Sequence, residues 1–507
     1  MERQIARKQG ANGGTLVPEM TSRTRQQARG YERSIPMAMA RRTFLTMSAA
    51  AVALPTRSFS QSELVLRPED FGAKGDGATN DTRAFAALSL VLQRRGGGTV
   101  SLGRGRTYLV GEQSPGGLFA WTPSPLLELR GLTKPTRVLG NGARLLCQPG
   151  LRFGTFDRQT GLPTHRKMPN LQVGEVASPY HAMIWVSDCL APVAVEHVEL
   201  DGNLEHLLIG GQHGDTGWQI PGTGLLLAGN RGAETIRNVF SHHHGQDGAI
   251  IIGDPDRTDR SRLTRLVARY NARQGLSLTA GRGYDFEDCE FSHTGRSTIS
   301  SAPGAGVDIE AEDKTIRDLR FTRCRFVDNI GAGLVADSGD SEDAQFTDCT
   351  FVGTTTWSAW PLKPFFRFKG CTFVGAVVHP FSDKQDPARA TKFVDCRFTD
   401  EASLSPTGQV FEGGVAGPIV NMAESDNVLF DRCTFDVWKA ALPWSWKAVY
   451  RDCTMTERSS VTSMTKGKFL GRTTINGRVD LYGSLVVGSL ILNGRLVPPG
   501  LKGGPAW

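Results

Sequence analysis

Phe286-Glu-Asp-Cys289-Glu-Phe291 is one of seven copies of a single pattern. The others are Phe321-Thr-Arg-Cys324-Arg-Phe326, Phe346-Thr-Asp-Cys349-Thr-Phe351, Phe368-Lys-Gly-Cys371-Thr-Phe373, Phe393-Val-Asp-Cys396-Arg-Phe398, Phe430-Asp-Arg-Cys433-Thr-Phe435 and Tyr450-Arg-Asp-Cys453-Thr-Met455. Successive cysteines are 35, 25, 22, 25, 37 and 20 residues apart. Two apolar copies precede them, Ile236-Arg-Asn-Val239-Phe-Ser241 and Leu263-Thr-Arg-Leu266-Val-Ala268. A repeat of this length marks a solenoid, in which each unit buries its apolar face only against its neighbours. The units contain short, glycine-bounded apolar runs and no helical periodicity. An all-β fold follows, with one repeat forming one coil of a parallel β-helix.

The same register aligns a second strand in each coil, beginning at Gly248, Gly275, Gly306 and Gly333. Side chains alternate between the faces of a strand. Ala249/Ile251, Leu276/Leu278, Val307/Ile309/Ala311 and Leu334/Ala336 are therefore assigned inward. Ile250/Ile252/Asp254, Ser277/Thr279, Asp308/Glu310/Glu312 and Val335/Asp337 are assigned outward. His244, Asn271, Thr294 and Asn329 share one turn position, where a polar ladder would satisfy turn backbone. Seven of the nine cysteines occupy one equivalent inward position. They are read as a stacked ladder of free thiols, since Cys packs as a small apolar residue. With no CxxC pair, a cysteine zinc site has no basis.

The chain of 507 residues has a net charge of +7, which on its own suggests an anionic partner. Residues 1–61 hold ten of the 58 basic and three of the 51 acidic residues, which leaves 48 of each sign in the rest. The whole excess sits in a leader. There, Arg41-Arg42-Thr43-Phe44-Leu45 precedes a short apolar run at 47–54 and a small-x-small site, Ser58-Phe59-Ser60. This resembles a twin-arginine signal, so the expected partner is the twin-arginine export machinery and the expected location is the periplasm or the medium. Residues 1–36 are read as lying upstream of the true start. The neutral body argues against nucleic acid. No apolar run after residue 61 approaches the ~18 residues of a membrane helix. A P-loop and a nucleophile elbow are both absent, so no organic cofactor is expected.

Asp70-Phe-Gly-Ala-Lys-Gly-Asp-Gly-Ala-Thr-Asn-Asp81-Thr-Arg-Ala-Phe, with Gly96-Gly-Gly-Thr-Val and Thr107-Tyr-Leu after it, closely resembles the start of pectate-lyase-superfamily proteins. These include the glycoside hydrolase family 28 polygalacturonases and rhamnogalacturonases, and phage tailspike depolymerases. The resemblance implies a single-stranded right-handed parallel β-helix over about 62–490, a capping helix at about 81–95 started by Asn80 and Asp81, and a C-terminal tail at 491–507. It gives Asp70, Asp76 and Asp81 structural roles. It does not carry over the polygalacturonase catalytic motifs. Those enzymes bear Asn-Thr-Asp, Gly-Asp-Asp, Gly-His-Gly and Arg-Ile-Lys on successive coils. This chain has Gly222-Thr-Gly224, Gly245-Gln-Asp247, Arg273-Gln-Gly275 and Asp308-Ile-Glu310. Of the three aspartates only Asp247 survives, Gln274 replaces the histidine, and the uronate-holding cations become acids.

Asp308, Glu310 and Glu312 project at i, i+2 and i+4, with Cα atoms ~6.6 Å apart, and Asp337 follows one coil on. Carboxylates this close cannot all ionise cheaply, so at least one pKa rises. A raised carboxyl beside an ionised one suits glycoside hydrolysis. Asp308 and Glu310 are the expected acid/base pair, with Asp247 and Asp337 next. Gln274, Arg273, Glu312, Arg296, His293 and His244 are the expected substrate contacts. Ca²⁺ at Asp308, Glu310, Glu312 and Asp337 is an alternative use of the same oxygens, and no other metal site is expected. Residues 292–303, which carry His293 and Arg296, are longer than the equivalent segment elsewhere and could wall a groove. Trp357, Trp360, Trp438, Trp444 and Trp446 are candidate sugar platforms. The expected activity is cleavage of a non-pectic polysaccharide or oligosaccharide by a glycoside hydrolase. A uronate-directed polysaccharide lyase and a non-catalytic glycan-binding β-helix are the alternatives, and the choice between monomer and homotrimer stays open.

Overall fold

The computed structural model describes residues 65–165, 173–212, 220–415, 417–422, 424–459 and 461–503. The leader, with its export and cleavage readings, lies outside the described residues. Three parallel strand ladders run the length of the body and make it a right-handed parallel β-helix. The first ladder contains Leu127–Arg130, Ala182–Ser187, Thr223–Ala228, Asp247–Ile252, the opening of Gln274–Glu287, Val307–Ile309, Leu334–Ala336 and Ala359–Pro361. The second ladder carries the first Phe of each repeat and the third carries the second Phe: Phe286 pairs with Phe321, and Phe291 with Phe326. Past Asn421 the first ladder continues through a bridge to Trp444. The end is folded back by antiparallel strands Arg495–Val497 and Gly500–Leu501.

The residue before each repeat cysteine makes the bend between the second and third ladders. Asp288, Arg323, Asp348, Gly370, Asp395, Arg432 and Asp452 all adopt left-handed φ between 52° and 64°. A left-handed residue reverses the side-chain alternation at that point, so both flanking rings enter the interior. There they stack coil upon coil. Phe286, Phe321, Phe346, Phe368 and Phe393 are spaced 4.4, 4.8, 4.7 and 5.0 Å centroid to centroid. Phe326, Phe351, Phe373, Phe398 and Phe435 follow at 4.4, 4.8, 4.9 and 4.8 Å. All nine cysteines are buried and free. Each repeat thiol donates to a carbonyl of the preceding coil, as Cys349 does to Phe321 O at 3.4 Å and Cys371 to Phe346 O at 3.4 Å. Burial pushes the thiols of Cys324, Cys371 and Cys433 well up, which keeps them protonated.

The glycines that open the first-ladder strands answer to a second stack. Asn271 Oδ1 accepts from His244 N at 3.0 Å and Asn329 Oδ1 from Thr294 N at 3.0 Å. A Cβ at Gly248 would lie 2.5 Å from Asn271 Nδ2, and one at Gly306 2.6 Å from Asn329 Nδ2. The polar ladder therefore leaves room only for glycine beside it.

The open N-terminal end of the core is covered by the helix Thr82–Arg95, whose Ala84, Phe85, Leu88 and Leu92 are buried. Asn80 Oδ1 accepts from Thr82 N at 3.0 Å and so caps it. Asp81 instead accepts from Lys74 N (2.7 Å) and Gly75 N (3.0 Å), which closes the preceding turn. A small separate sheet, formed by Gln113–Pro115, Trp121–Pro123, Arg152–Thr155, Val176–Ala177 and Leu208–Gly210, flanks the early coils. Its Phe153 packs so closely on Gly245 that a Cβ there would lie 2.5 Å from the ring.

Because Phe346 is 1% exposed and stacked on both sides, Phe346→Ala should cost about 3–5 kcal/mol of stability in a denaturant titration. An exposed bend residue such as Arg323, changed to Asn, should shift the denaturation midpoint far less in the same titration.

Candidate active site

The outward face of the first ladder presents a straight row, set by the register. It runs Glu128, Trp185, Leu226, Ile250, Ser277, Asp308, Val335, Trp360. Neighbours in the row are one coil apart, ~4.8 Å. Trp185 carries His181 stacked at 4.9 Å and the Arg130 guanidinium 3.6 Å above its ring. At the other end Trp360 lies 6.0 Å from His379. The acidic residues fall between two aromatic ends.

The centre of the row is a polar cluster. Ser277 Oγ donates to Asp247 Oδ2 at 2.7 Å, and Arg273 Nη1 lies 3.4 Å from the same oxygen. Gln274 Nε2 donates to Asp308 Oδ2 at 2.9 Å. Ser338 Oγ donates to Glu310 Oε1 at 2.7 Å. Asp247, Gln274, Ser277 and Asp308 are buried, whereas Glu310 and Asp337 are half-buried. Asp247 Oδ1, Gln274 Oε1 and Asp308 Oδ1 are buried without a hydrogen-bond partner.

Electrostatics follow from this burial. Burial, reinforced by the charge of Glu310, drives the Asp308 carboxyl well above the usual carboxylate range. Burial raises Asp247 too, partly offset by Arg273. Burial and then Glu310 raise Asp337. The site thus gathers three carboxyls of raised pKa, Asp247, Asp308 and Asp337, around Glu310, the kind of perturbed cluster from which acid/base chemistry is built.

The structure brings Asp247, Arg273, Gln274, Asp308, Glu310 and Asp337 together. Thr223, Asp247 and Gln274 share one level along the strands, whereas Asp308 stands level with Ile250 and Ser277, three residues further on. Glu312 lies beyond the end of the strand Val307–Ile309 and is exposed. His293 and Arg296 turn toward the third ladder. His293 stacks on Tyr270 at 4.7 Å, and Arg296 binds Asp328 at 3.1 Å and Thr354 at 2.9 Å. His244 is fully buried, bonded to Tyr180 Oη at 2.8 Å and Leu200 O at 3.1 Å, and burial pushes its pKa down to about 3. It is a member of the interior ladder and does not reach the outward row. The long segment is laid against the turn that leads into Arg273, with Gly295 N bonded to Asn271 O and Ser301 N to Ala272 O, both at 2.8 Å. Of the tryptophans, Trp360 and Trp444 continue the first-ladder line, while Trp357 packs edge-on against Phe411. Sequence reasoning missed Ser277 and Ser338, whose contacts depend on the register between coils, and the row that ends in Trp185.

A family model described as the right handed beta helix region matches residues 216–377. Depolymerase 1 of Klebsiella phage KN3-1, described as specific for capsule KN3, is 24% identical over 362 residues, 62% of this chain and 40% of that protein. The chain therefore spans about two fifths of the length of this curated relative. Among solved structures, the A-module of Azotobacter vinelandii mannuronan C-5 epimerase AlgE4 is 15% identical, covering 83% of this chain and 99% of its own, with a TM-score of 0.44. The tailspike protein of E. coli bacteriophage HK620 is 12% identical, covering 85% and 78%, with a TM-score of 0.43. These likenesses concern the fold.

The Asp308 carboxyl binds its proton more tightly folded than unfolded. Its contribution to native stability is therefore fully present below the unfolded carboxylate pKa (~3.9) and is lost as pH rises toward the raised native value. Asp308→Asn should remove that loss. Its melting temperature should match the native chain at pH 4 and exceed it increasingly toward pH 8.

Proposed function

We propose that the protein is an exported enzyme that cleaves a polysaccharide by glycoside hydrolysis, with the chain of the glycan lying along the first-ladder row. The observation that carries this reading is the set of three carboxyls, Asp308 in the row and Glu310 and Asp337 beside it, lying between the rings of Trp185 and Trp360. A linear polymer can follow such a row, and rings with polar edges suit sugar faces. The phage depolymerase relative supports a polysaccharide as the substrate class. The acid residues at the uronate-holding coil speak against a pectic chain bound in the polygalacturonase manner.

Burial of Asp308 changes the expected division of labour. Glu310 and Asp337 are half-buried on adjacent coils, whereas Asp308 is buried. In this reading Asp337, raised by burial and by Glu310, delivers the proton to the leaving oxygen. Glu310 acts on the anomeric side as base or nucleophile. Asp308, neutral and tied to Gln274, keeps a second negative charge away from Glu310. Asp247 and Arg273 fix the floor. Export by the twin-arginine route would deliver the folded chain to its substrate outside the cytoplasm.

Glu310→Gln and Asp337→Asn should each lower turnover about 10²–10⁴-fold on a glycan identified by panel screening, with binding retained. Product mass decides the chemistry. Products carrying an added water support the reading, and unsaturated products overturn it in favour of a lyase. Binding with no cleavage by the native chain overturns it in favour of a glycan-binding protein.

A further inference from the structure

A second polar group lies on the outward face of the third ladder, away from the row of carboxyls. Asp201 ends the strand Val193–Asp201, His242 ends Glu234–His242, and the two are paired in register on adjacent coils. His243 follows with a left-handed φ of 54°, which turns its ring back toward His242. The two Nδ1 atoms stand 2.7 Å apart, and His242 Nδ1 is 3.7 Å from Asp201 Oδ1. The three donor atoms all lie within 4.8 Å of one another.

The surroundings fix which nitrogen is available. His242 Nε2 lies 3.2 Å from Glu199 Oε1, so its proton sits on Nε2 and its Nδ1 lone pair faces His243 and Asp201. A carboxylate behind the distal nitrogen is the arrangement that orients metal-bound imidazoles. Both rings are held in plane: Phe240 stacks on His242 at 4.1 Å, and Tyr270 on His243 at 5.2 Å. Arg144 pairs with Asp201 Oδ2 and lies 3.2 Å from Glu199 Oε1, while Asn203 N donates to Asp201 Oδ1 at 2.8 Å. Arg144 offsets one of the two carboxylates, Asp201 and Glu199, so these three side chains contribute one net negative charge beside the imidazoles, which suits a divalent cation. Half-buried His243 leaves the group open to solvent on one side.

We propose that Asp201, His242 and His243 form a binding site for a divalent transition-metal ion of the Zn²⁺ type. Two imidazole nitrogens and one carboxylate oxygen match the borderline donors such ions take, and a fourth position stays open to water or a ligand. Bringing an ion to roughly 2.1 Å from both nitrogens at a tetrahedral angle requires them to part from 2.7 Å to about 3.4 Å, a movement that rotation of two adjacent side chains can supply. The ion replaces the proton shared between the two Nδ1 atoms and links consecutive coils. The site is separate from the carboxyl row and does not depend on the hydrolase reading.

The test uses the full chain without an affinity tag, stripped with chelator and titrated with Zn²⁺ by calorimetry and with Co²⁺ by visible absorption. One equivalent should bind, Co²⁺ should show the ligand-field bands of a nitrogen-ligated site, and Zn²⁺ should raise the melting temperature. His242→Ala and His243→Ala should abolish all three effects while melting cooperatively in chelator. Glu199→Gln should bind about 10–100-fold more weakly. Absence of saturable binding by the native chain overturns the proposal. So does binding that survives His242→Ala but disappears in Asp308→Asn.

Discussion

The coil of this protein is held in shape by one backbone constraint, the left-handed residue between the second and third strands. It lets two rings six residues or fewer apart enter the same interior and places a small thiol between them. Once that bend is repeated, the parallel register stacks like on like: Phe on Phe, Cys under a carbonyl, Asn beside Gly. No single coil could bury these groups, so the stability of each depends on its neighbours, as in other solenoids. Stacked rings at 4.4–5.0 Å add their own attraction to the burial.

A scaffold stabilised from inside leaves its outside free. The first ladder uses that freedom for a row of unlike residues, aromatic at Trp185 and Trp360 and acidic around Asp308. The rigidity of the strands keeps the spacing of this row fixed. Burying Asp308 and Asp247 is unfavourable for folding at neutral pH unless both keep their protons, and such locally costly placement is what separates a working surface from a solvated one.

Much of this was legible in the repeats. The Phe-x-x-Cys-x-Phe spacing gave the coil, the period-2 alternation gave the inward set, and the shared turn position of His244, Asn271, Thr294 and Asn329 gave the interior ladder. The assembly of Asp247, Gln274 and Asp308 followed from register. What stayed hidden was depth. Alternation says that Asp308 faces outward but not how deeply it lies, and so it could not separate the buried Asp308 from the half-buried Glu310 and Asp337. Arg296 and His293 were placed in the right segment but on the wrong side of it, because the direction of a loop is decided by partners such as Asp328 and Thr354 on later coils. The three consecutive histidines at 242–244 hold two environments, and only the left-handed turn at His243 shows where interior gives way to surface.

The cysteine ladder has a consequence for the life of the folded chain. Folded, the thiols are buried and tied to carbonyls. Unfolded outside a reducing environment, seven chemically equivalent thiols would emerge 20–37 residues apart. No native pairing exists toward which their oxidation could converge, so cross-links would trap the chain at random. Unfolding under oxidising conditions is then effectively irreversible, and the working lifetime is governed by the rate at which the coils open rather than by the equilibrium between folded and unfolded chain.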